Sequence, residues 1–139
     1  MGEMASDIRR IEIIPPKFGS EGPGRWVRRN EHMSAKARKY QGTTDAYQVK
    51  WILKPTRGMK PEVHFDDWDD ATNALVDSKT NLARSAKFED EARRQVELAR
   101  QYGVGVRWEV PPKLAKQFTK WLKEKALNDS IDLLPREPK

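Results

Sequence analysis

Two aspartates and one lysine at short spacing are the residues of this sequence best suited to carry chemistry. Ten residues separate Asp66 from the segment Asp77-Ser78-Lys79, which gives the pattern D-x10-D-x-K. Carboxylate oxygens are the ligands that Mg²⁺ and Mn²⁺ prefer, and a lysine supplies a fixed positive charge beside them. If the fold brings Asp66, Asp77 and Lys79 together, they predict a divalent-metal site.

A β-hairpin would bring the two aspartates together. The segment 69–73 is rich in Asp, Thr and Asn, which favour turns, and it lies between predicted strands over 62–68 and 74–79. A turn centred between residues 71 and 72 places Asp66 opposite Asp77 on one face of the hairpin. We therefore expect the two carboxylates to be neighbours across the strands.

Two carboxylates in this position need a cation. Directly opposed Cβ atoms lie about 5 Å apart, and two negative charges at that distance repel by about 3 kcal/mol with an effective dielectric of about 20. Lys79 lies on the same strand face and supplies one charge, and Mg²⁺ or Mn²⁺ would supply the rest. A register shift of one residue would put Asp67 in the place of Asp66. The alternative without metal is a solvent-exposed acidic turn with an ordinary Asp–Lys pair.

The rest of the pattern predicts a mixed α/β domain. Residues 1–24 end in a segment rich in Gly and Pro and are interpreted as a tail or linker, in which 11–14 could add an edge strand, and residues 25–139 form the domain. The further elements are helices over 28–40, 86–102 and 111–127 and strands over 46–53, 104–110 and 131–134. The order α-β-β-β-α-β-α-β favours helices packed around one mixed sheet.

Composition limits the kind of metal site. The chain of 139 residues fits one domain, has no cysteine, and contains two histidines, His32 and His64. Disulfides, iron–sulfur clusters, cysteine-ligated zinc and three-histidine sites are therefore excluded, so a metal would need oxygen ligands. The sequence also lacks an apolar run as long as a membrane span and the apolar segment of a signal peptide, so we expect no membrane partner.

Positive charge is concentrated in the first part of the chain. Residues 1–60 carry a formal charge of +7 and residues 61–139 carry −1, so that the whole chain carries +6. A basic surface beside an acidic cluster is typical of a protein that binds a polyanion next to metal-binding carboxylates. The basic residues around the first predicted helix are candidate phosphate contacts: Arg25, Arg28, Arg29, Lys36, Arg38 and Lys39. The lysines at 113, 116, 120 and 123 are interpreted as a solvated outer face of the last helix.

The aspartate–lysine pattern resembles the PD-(D/E)xK signature of restriction-endonuclease-fold nucleases, with Phe65 where many members have proline. The wider pattern is similar to the restriction-endonuclease-fold toxin domains of bacterial polymorphic toxins and type VI secretion effectors, over roughly residues 25–134. The segments that carry the resemblance are Trp26, Glu31-His32-Met33-Ser34 with Ala37-Arg38 and Tyr40-Gln41, Val63-His64-Phe65-Asp66, Leu75-Val76-Asp77-Ser78-Lys79, Ala92-Arg93-Arg94-Gln95 and Val106-Arg107-Trp108.

The resemblance implies a catalytic role for five residues. Asp66 and Asp77 would bind Mg²⁺ or Mn²⁺, and Lys79 would act beside the attacking water. Glu31 would be an additional acidic member, and Gln95 would be the polar residue on the helix that follows the D-x-K strand. The implied activity is metal-dependent endonuclease cleavage, of DNA more than of RNA.

The resemblance also implies a biological setting. Such a domain belongs to a larger secreted parent chain or is carried by a secretion apparatus, and it acts in the cytoplasm of the target cell as an antibacterial toxin. A cognate immunity protein, most simply an acidic one, would neutralise it. The alternatives are a phage or repair nuclease of the same fold and a non-catalytic nucleic-acid-binding module. In that module Gln95 would be a buried structural glutamine and Glu31 a charge at a helix N-terminus.

Overall fold

The computed structural model describes residues 18–28 and 45–137, and these residues form a mixed α/β structure. The strands in chain order are β1 (Arg25–Arg28), β2 (Asp45–Lys50), β3 (Glu62–Phe65), β4 (Asp67–Asp69), β5 (Ala74–Ser78), β6 (Gly105–Val110) and β7 (Ile131–Pro135). The helices are α1 (Ala86–Tyr102) and α2 (Ala115–Glu124), the second preceded by a 3₁₀ turn over Pro112–Leu114. The predicted fold class is confirmed at this level.

The described strands form two sheets, so the prediction of one sheet is wrong. The first sheet is antiparallel in the order β1-β2-β3, and the second has the order β4-β5-β6-β7. In the second sheet β4 and β5 are antiparallel, whereas β5, β6 and β7 are parallel. Parallel neighbours require a crossover, and α1 and α2 supply the two crossovers.

The two sheets meet because the predicted strand over 62–68 divides at Asp66. Phe65 and Trp68 are both buried, at 0% and 7% exposure, although residues three apart on an unbroken strand point to opposite faces. The chain resolves this conflict by leaving β2 after Phe65 and pairing with β5 from Asp67 onward. Asp66 therefore lies at the joint, where its backbone N–H donates to the carbonyl of Val76 at 2.9 Å.

Helix α1 matches its predicted bounds because both ends carry clear signals. The Ser85 side chain caps the start by accepting from the Phe88 N–H, and Gly103 ends the helix with a left-handed φ of 69°. The helix packs on the second sheet around the fully buried Trp108, whose ring lies 5.6 Å from Phe88. The α2 side chains Phe118 and Trp121 pack on the same ring at 6.1 and 6.2 Å. These contacts define the helix-covered face of the second sheet.

Four predicted boundaries are wrong. Arg25–Arg28 form β1, so Arg28 belongs to a strand paired with β2 and not to a helix starting there. Strand β2 ends at Lys50 instead of residue 53, because the N–H groups of Ile52 and Leu53 bond to the side chain of Gln101 and not to a strand. The last helix begins with a 3₁₀ turn at the second of two prolines and ends at Glu124 instead of residue 127.

Part of the predicted tail packs on the fold. Phe18 contacts the ring of Trp68 edge-on at 6.1 Å, and the Trp68 indole N–H donates to the carbonyl of Gly19 at 2.8 Å. Gly22 has a φ of +68° and leaves no room for a side chain beside Tyr47 and Trp68. Glycine here reflects close packing as well as a turn, while the boundary at residue 24 stays a prediction. The predicted elements over 11–14 and 29–40 lie outside the described residues.

Candidate active site

Asp66 and Asp77 lie side by side where the two sheets meet. The hairpin pairs Asp67 with Val76 and Trp68 with Leu75, which is the predicted register and makes Asp66 and Asp77 the next opposed positions. The side chains are nearly buried, since the residues are 7% and 8% exposed. One oxygen of Asp66 accepts from the Ser78 backbone N–H at 2.6 Å, which fixes the carboxyl against β5.

The two carboxyl groups are in contact with each other. Burial by itself raises the pKa of Asp77, but the charge of Lys79 and hydrogen bonds with Asp66, Gln95 and Lys79 together hold it below its ordinary value. Asp77 is therefore a charged carboxylate, and the Lys79 ammonium is its cation.

Lys79 is the cation of the site. Its ammonium group lies 2.9 Å from Asp77 Oδ2, pairs with Glu91 as well, and has a side chain only 12% exposed. It also lies 5.2 Å from the ring centre of Phe88 and 5.3 Å from that of Trp108. Burial lowers the pKa of Lys79, but the carboxylates of Asp77 and Glu91 outweigh it and raise that pKa above the usual value. Lys79 is therefore an ammonium ion at neutral pH.

Gln95 connects the acid pair to the core. Its amide nitrogen donates to Asp77 Oδ2 at 2.7 Å, and its amide oxygen accepts from the Trp108 indole N–H at 2.8 Å. Because an indole can only donate, Trp108 sets the orientation of the Gln95 amide, and the NH₂ group must point at Asp77. Gln95 is 1% exposed, so this orientation is held inside the packed core.

Glu91 is a site residue that the sequence reasoning missed. It lies on α1 one turn before Gln95, and its carboxylate pairs with Lys79. The signal was present, because residues at i and i+4 share one face of a helix and Gln95 was already assigned to the site. The structure thus brings together four of the predicted residues, Asp66, Asp77, Lys79 and Gln95, and adds Glu91.

The predicted basic residues divide into those described and those outside. Arg28 pairs with Asp45, two residues before the Tyr47 that pairs with Phe65, so it lies at the Asp66 end of the first sheet. Two interstrand spacings put β1 about 10 Å from β3. Arg25 lies at the other end of β1, where its Nε donates to Gln48 Oε1 at 3.2 Å. The remaining predicted site residues lie outside the described residues: Glu31, Arg29, Lys36, Arg38 and Lys39.

The donor chemistry suits a hard divalent cation. Asp66 and Asp77 offer carboxylate oxygens that lie in contact with each other, and carboxylate oxygen is the donor that Mg²⁺ and Mn²⁺ prefer. Residues 18–28 and 45–137 contain no group of three or more His, Cys, Asp or Glu side chains arranged around one metal position. The described part of the site therefore supplies two carboxylates, and the predicted third acid, Glu31, belongs to the part not described.

Comparisons with known proteins gave no match, whether to family models, to curated proteins or to solved structures. Within the described residues, neither helix is long and apolar enough to cross a membrane.

Proposed function

We propose that this chain is a Mg²⁺- or Mn²⁺-dependent nuclease that hydrolyses phosphodiester bonds of nucleic acid. The observation that carries the proposal is the buried contact between Asp66 and Asp77 with Lys79 beside Asp77. A fold gains nothing from placing two acids together out of water, and such perturbed groups are typical of functional sites. The restriction-endonuclease-like arrangement is part of this proposal.

Each residue of the site has a role in the proposed reaction. Asp66 and Asp77 would hold the metal ion, which when bound lowers the pKa of a coordinated water and neutralises charge on the phosphate. Lys79 would place its ammonium beside the scissile phosphate and stabilise the negative charge that develops there. Its raised pKa supports this electrostatic role over that of a general base, because an ammonium ion cannot accept a proton.

Two residues of α1 would position the reacting groups. Gln95 donates to Asp77 and keeps one carboxylate oxygen directed, as outer partners of metal ligands commonly do. Glu91 contacts the Lys79 ammonium from the side of the helix and fixes where the charge sits. Both act on a neighbour and not on the substrate.

DNA is the proposed substrate, and an antibacterial effector toxin is the proposed biological role. The +7 charge of residues 1–60 supports a polyanionic substrate, and exposed Arg28 lies at the Asp66 end of its sheet. The toxin role, the parent chain or secretion apparatus that carries the domain, and a cognate immunity protein rest on the resemblance of the motif segments. An acidic immunity protein would cover the basic substrate surface most directly.

The test combines cleavage and metal binding on the purified chain. Wild type should cut plasmid DNA with Mg²⁺ and not with EDTA. Lys79→Met should bind Mn²⁺ in calorimetry at least as well as wild type, because a competing cation is gone, while cleavage falls about 10²- to 10³-fold. Retained cleavage in EDTA, or in Lys79→Met at the wild-type rate, would contradict the proposed mechanism.

A nucleic-acid-binding module without catalysis is the second candidate function. The observation in its favour is that Lys79 contacts carboxylates on both sides, Asp77 and Glu91, as a purely structural ion-pair cluster would. In that case neither wild type nor Lys79→Met would bind Mn²⁺ or cut DNA. Both proteins would still bind DNA.

A further inference from the structure

The loop between β2 and β3, residues 51–61, exposes large apolar side chains. Ile52 and Leu53 are 62% and 75% exposed, more than any other large apolar side chain of the described residues. Their neighbour Trp51 is buried at 9% and anchors the start of the loop in the core. The two side chains are consecutive in the chain, and most of the surface of each is exposed.

The backbone of this loop is held in place. Gln101 of α1 accepts the N–H groups of Ile52 and Leu53 at 3.1 and 3.0 Å, and it donates to the Leu53 carbonyl at 2.7 Å. The Trp51 N–H donates to the Pro61 carbonyl at 3.0 Å and closes the loop at its base. Three hydrogen bonds from one side chain hold the two exposed residues at fixed positions, so their exposure is part of the folded structure.

The charged residues that flank the two apolar side chains in the sequence are all positive. No acidic residue occurs between Asp45 and Glu62, while this interval contains four exposed cations: Lys50, Lys54, Arg57 and Lys60. Arg25 and Lys50 also line one cavity of about 320 Å³ beside the loop. A second cavity, lined by loop residues, also contains two acids and two arginines of α1: Asp90, Glu97, Arg93 and Arg94. The cations of the loop itself therefore carry its complementarity to a partner with a negatively charged surface and an apolar interior.

The loop lies close enough to the acid pair to contact the same nucleic acid. Strand β3 connects the loop directly to Asp66, and the four steps from Glu62 span about 13 Å. That length equals about four base steps of a duplex. A duplex that runs along β3 with a phosphodiester at the Asp66–Asp77 pair would therefore pass the loop within half a helical turn.

We propose that the 51–61 loop is a DNA wedge, in which Ile52 and Leu53 insert against the bases about four steps from the cleaved bond while Lys54 and Arg57 bind the flanking phosphates. The proposal rests on the proposed function, because it takes duplex DNA as the substrate. Apolar side chains flanked by cations are the usual means of unstacking a base step. A rigid backbone favours this partner over an anionic membrane, since a wedge must keep its position against a stacked helix.

The test uses a short duplex in EDTA, where the proposed cleavage cannot proceed. Wild type should bind the duplex, and a 2-aminopurine placed in it should brighten as its base unstacks. Ile52→Ser/Leu53→Ser should weaken binding about tenfold or more and abolish the brightening, with an unchanged salt slope. Leu134→Ser is the matched control, because Leu134 is another exposed apolar side chain, 41% exposed, on β7.

The cations of the loop are tested separately. Lys54→Gln/Arg57→Gln should lower the slope of log affinity against log salt concentration by about 2. The melting temperature of each variant checks its fold.

Two outcomes would overturn the wedge. Binding within twofold of wild type by Ile52→Ser/Leu53→Ser, with the brightening retained, would show that the two side chains do not touch the bases. Binding of phosphatidylserine vesicles that only this variant loses, with DNA binding unaffected, would assign the loop to a membrane. The proposed nuclease activity and the proposed wedge can fail separately. If wild type unstacks the duplex but never cuts plasmid DNA with Mg²⁺, only the nuclease activity is refuted.

Discussion

The two faces of the second sheet carry ionic clusters of opposite design. On the face away from the helices, Glu109 lies between two arginines, at 2.7 Å from Arg136 and 3.5 Å from Arg107. Arg107 also pairs with Asp69 at 2.8 Å, so two cations alternate with two anions. On the helix-covered face, Asp66 and Asp77 touch each other, and the partner of the pair is one lysine shared with Glu91.

The difference is the basis on which we propose chemistry for one face and support for the other. The alternating cluster satisfies every carboxylate with an opposite charge and connects β4, β6 and the segment after β7. The acid pair instead places two carboxyl groups in contact, with Lys79 as their cation. Burial does not distinguish the two clusters, since Asp77 is 8% and Glu109 is 9% exposed.

The largest expected effect comes from exchanging the acids of the two faces for amides. Asp77→Asn should lower plasmid cleavage about 10⁴-fold, because a metal-binding carboxylate is lost, and it should also lower thermal stability, since Lys79 keeps only Glu91 as a charged partner. Glu109→Gln should leave cleavage near wild type and destabilise the fold by about 3 kcal/mol, since two arginines lose their shared partner. Cleavage rates of the folded proteins and urea unfolding measure both effects. Loss of cleavage in Glu109→Gln alone would reverse the assignment of the two faces.

The predictable part of the molecule consists of segments with local signals. The register of the hairpin followed from the turn at 69–73, and α1 followed from Ser85 and Gly103, because turn and cap residues act within a few positions of the chain. Gln95 was also assigned to the site, but through the resemblance, and its amide contacts Asp77 in the structure.

The parts that were not predicted depend on contacts distant in sequence. The break at Asp66 arises because Phe65 and Trp68 are buried in two different sheets. The local sequence pattern of 62–68 does not predict this break. Strand β1 exists through its pairing with β2, and the 51–61 loop exists through hydrogen bonds to Gln101, about 50 residues later. Glu91 differs from these, because its i, i+4 relation to Gln95 was a local signal, and only its pairing with Lys79 depends on another element.

A smaller effect is expected from the connection between Gln95 and the acid pair. Gln95→Met keeps the volume but removes the donor to Asp77, so cleavage should fall about 10- to 100-fold and the Mg²⁺ concentration for half-maximal activity should rise. Trp108→Phe should shift the Mg²⁺ requirement in the same direction but less, since the amide is kept and only its orientation is released. Kinetics over a Mg²⁺ series measures both. A drop in stability with an unchanged Mg²⁺ requirement would make Gln95 a core residue without influence on the metal.

The smallest effect on cleavage, and a pH-dependent one on stability, is expected from Asp69 in the alternating cluster. The hydrogen bond from Arg107, and a second one from Thr72, hold the pKa of Asp69 below its ordinary value. A carboxyl group whose pKa is lower in the folded chain stabilises the fold above its unfolded pKa of about 3.9, and this stabilisation is lost as the pH falls through the folded value.

Asp69→Asn should therefore be less stable than wild type by about 1 kcal/mol at pH ~7, a value that allows for the partial exposure of the pair, and this difference should shrink below pH ~4. Asparagine keeps an oxygen to accept from the Ala71 N–H, so the turn itself survives. Asp70→Asn, at an exposed neighbouring position, controls for the loss of one negative charge. Urea midpoints at the two pH values give the difference, and neutral-pH cleavage should match wild type in both variants. A stability difference that stays the same in acid would mean that the Asp69 charge contributes nothing, and the alternating cluster would then hold the sheet by shape and hydrogen bonding alone.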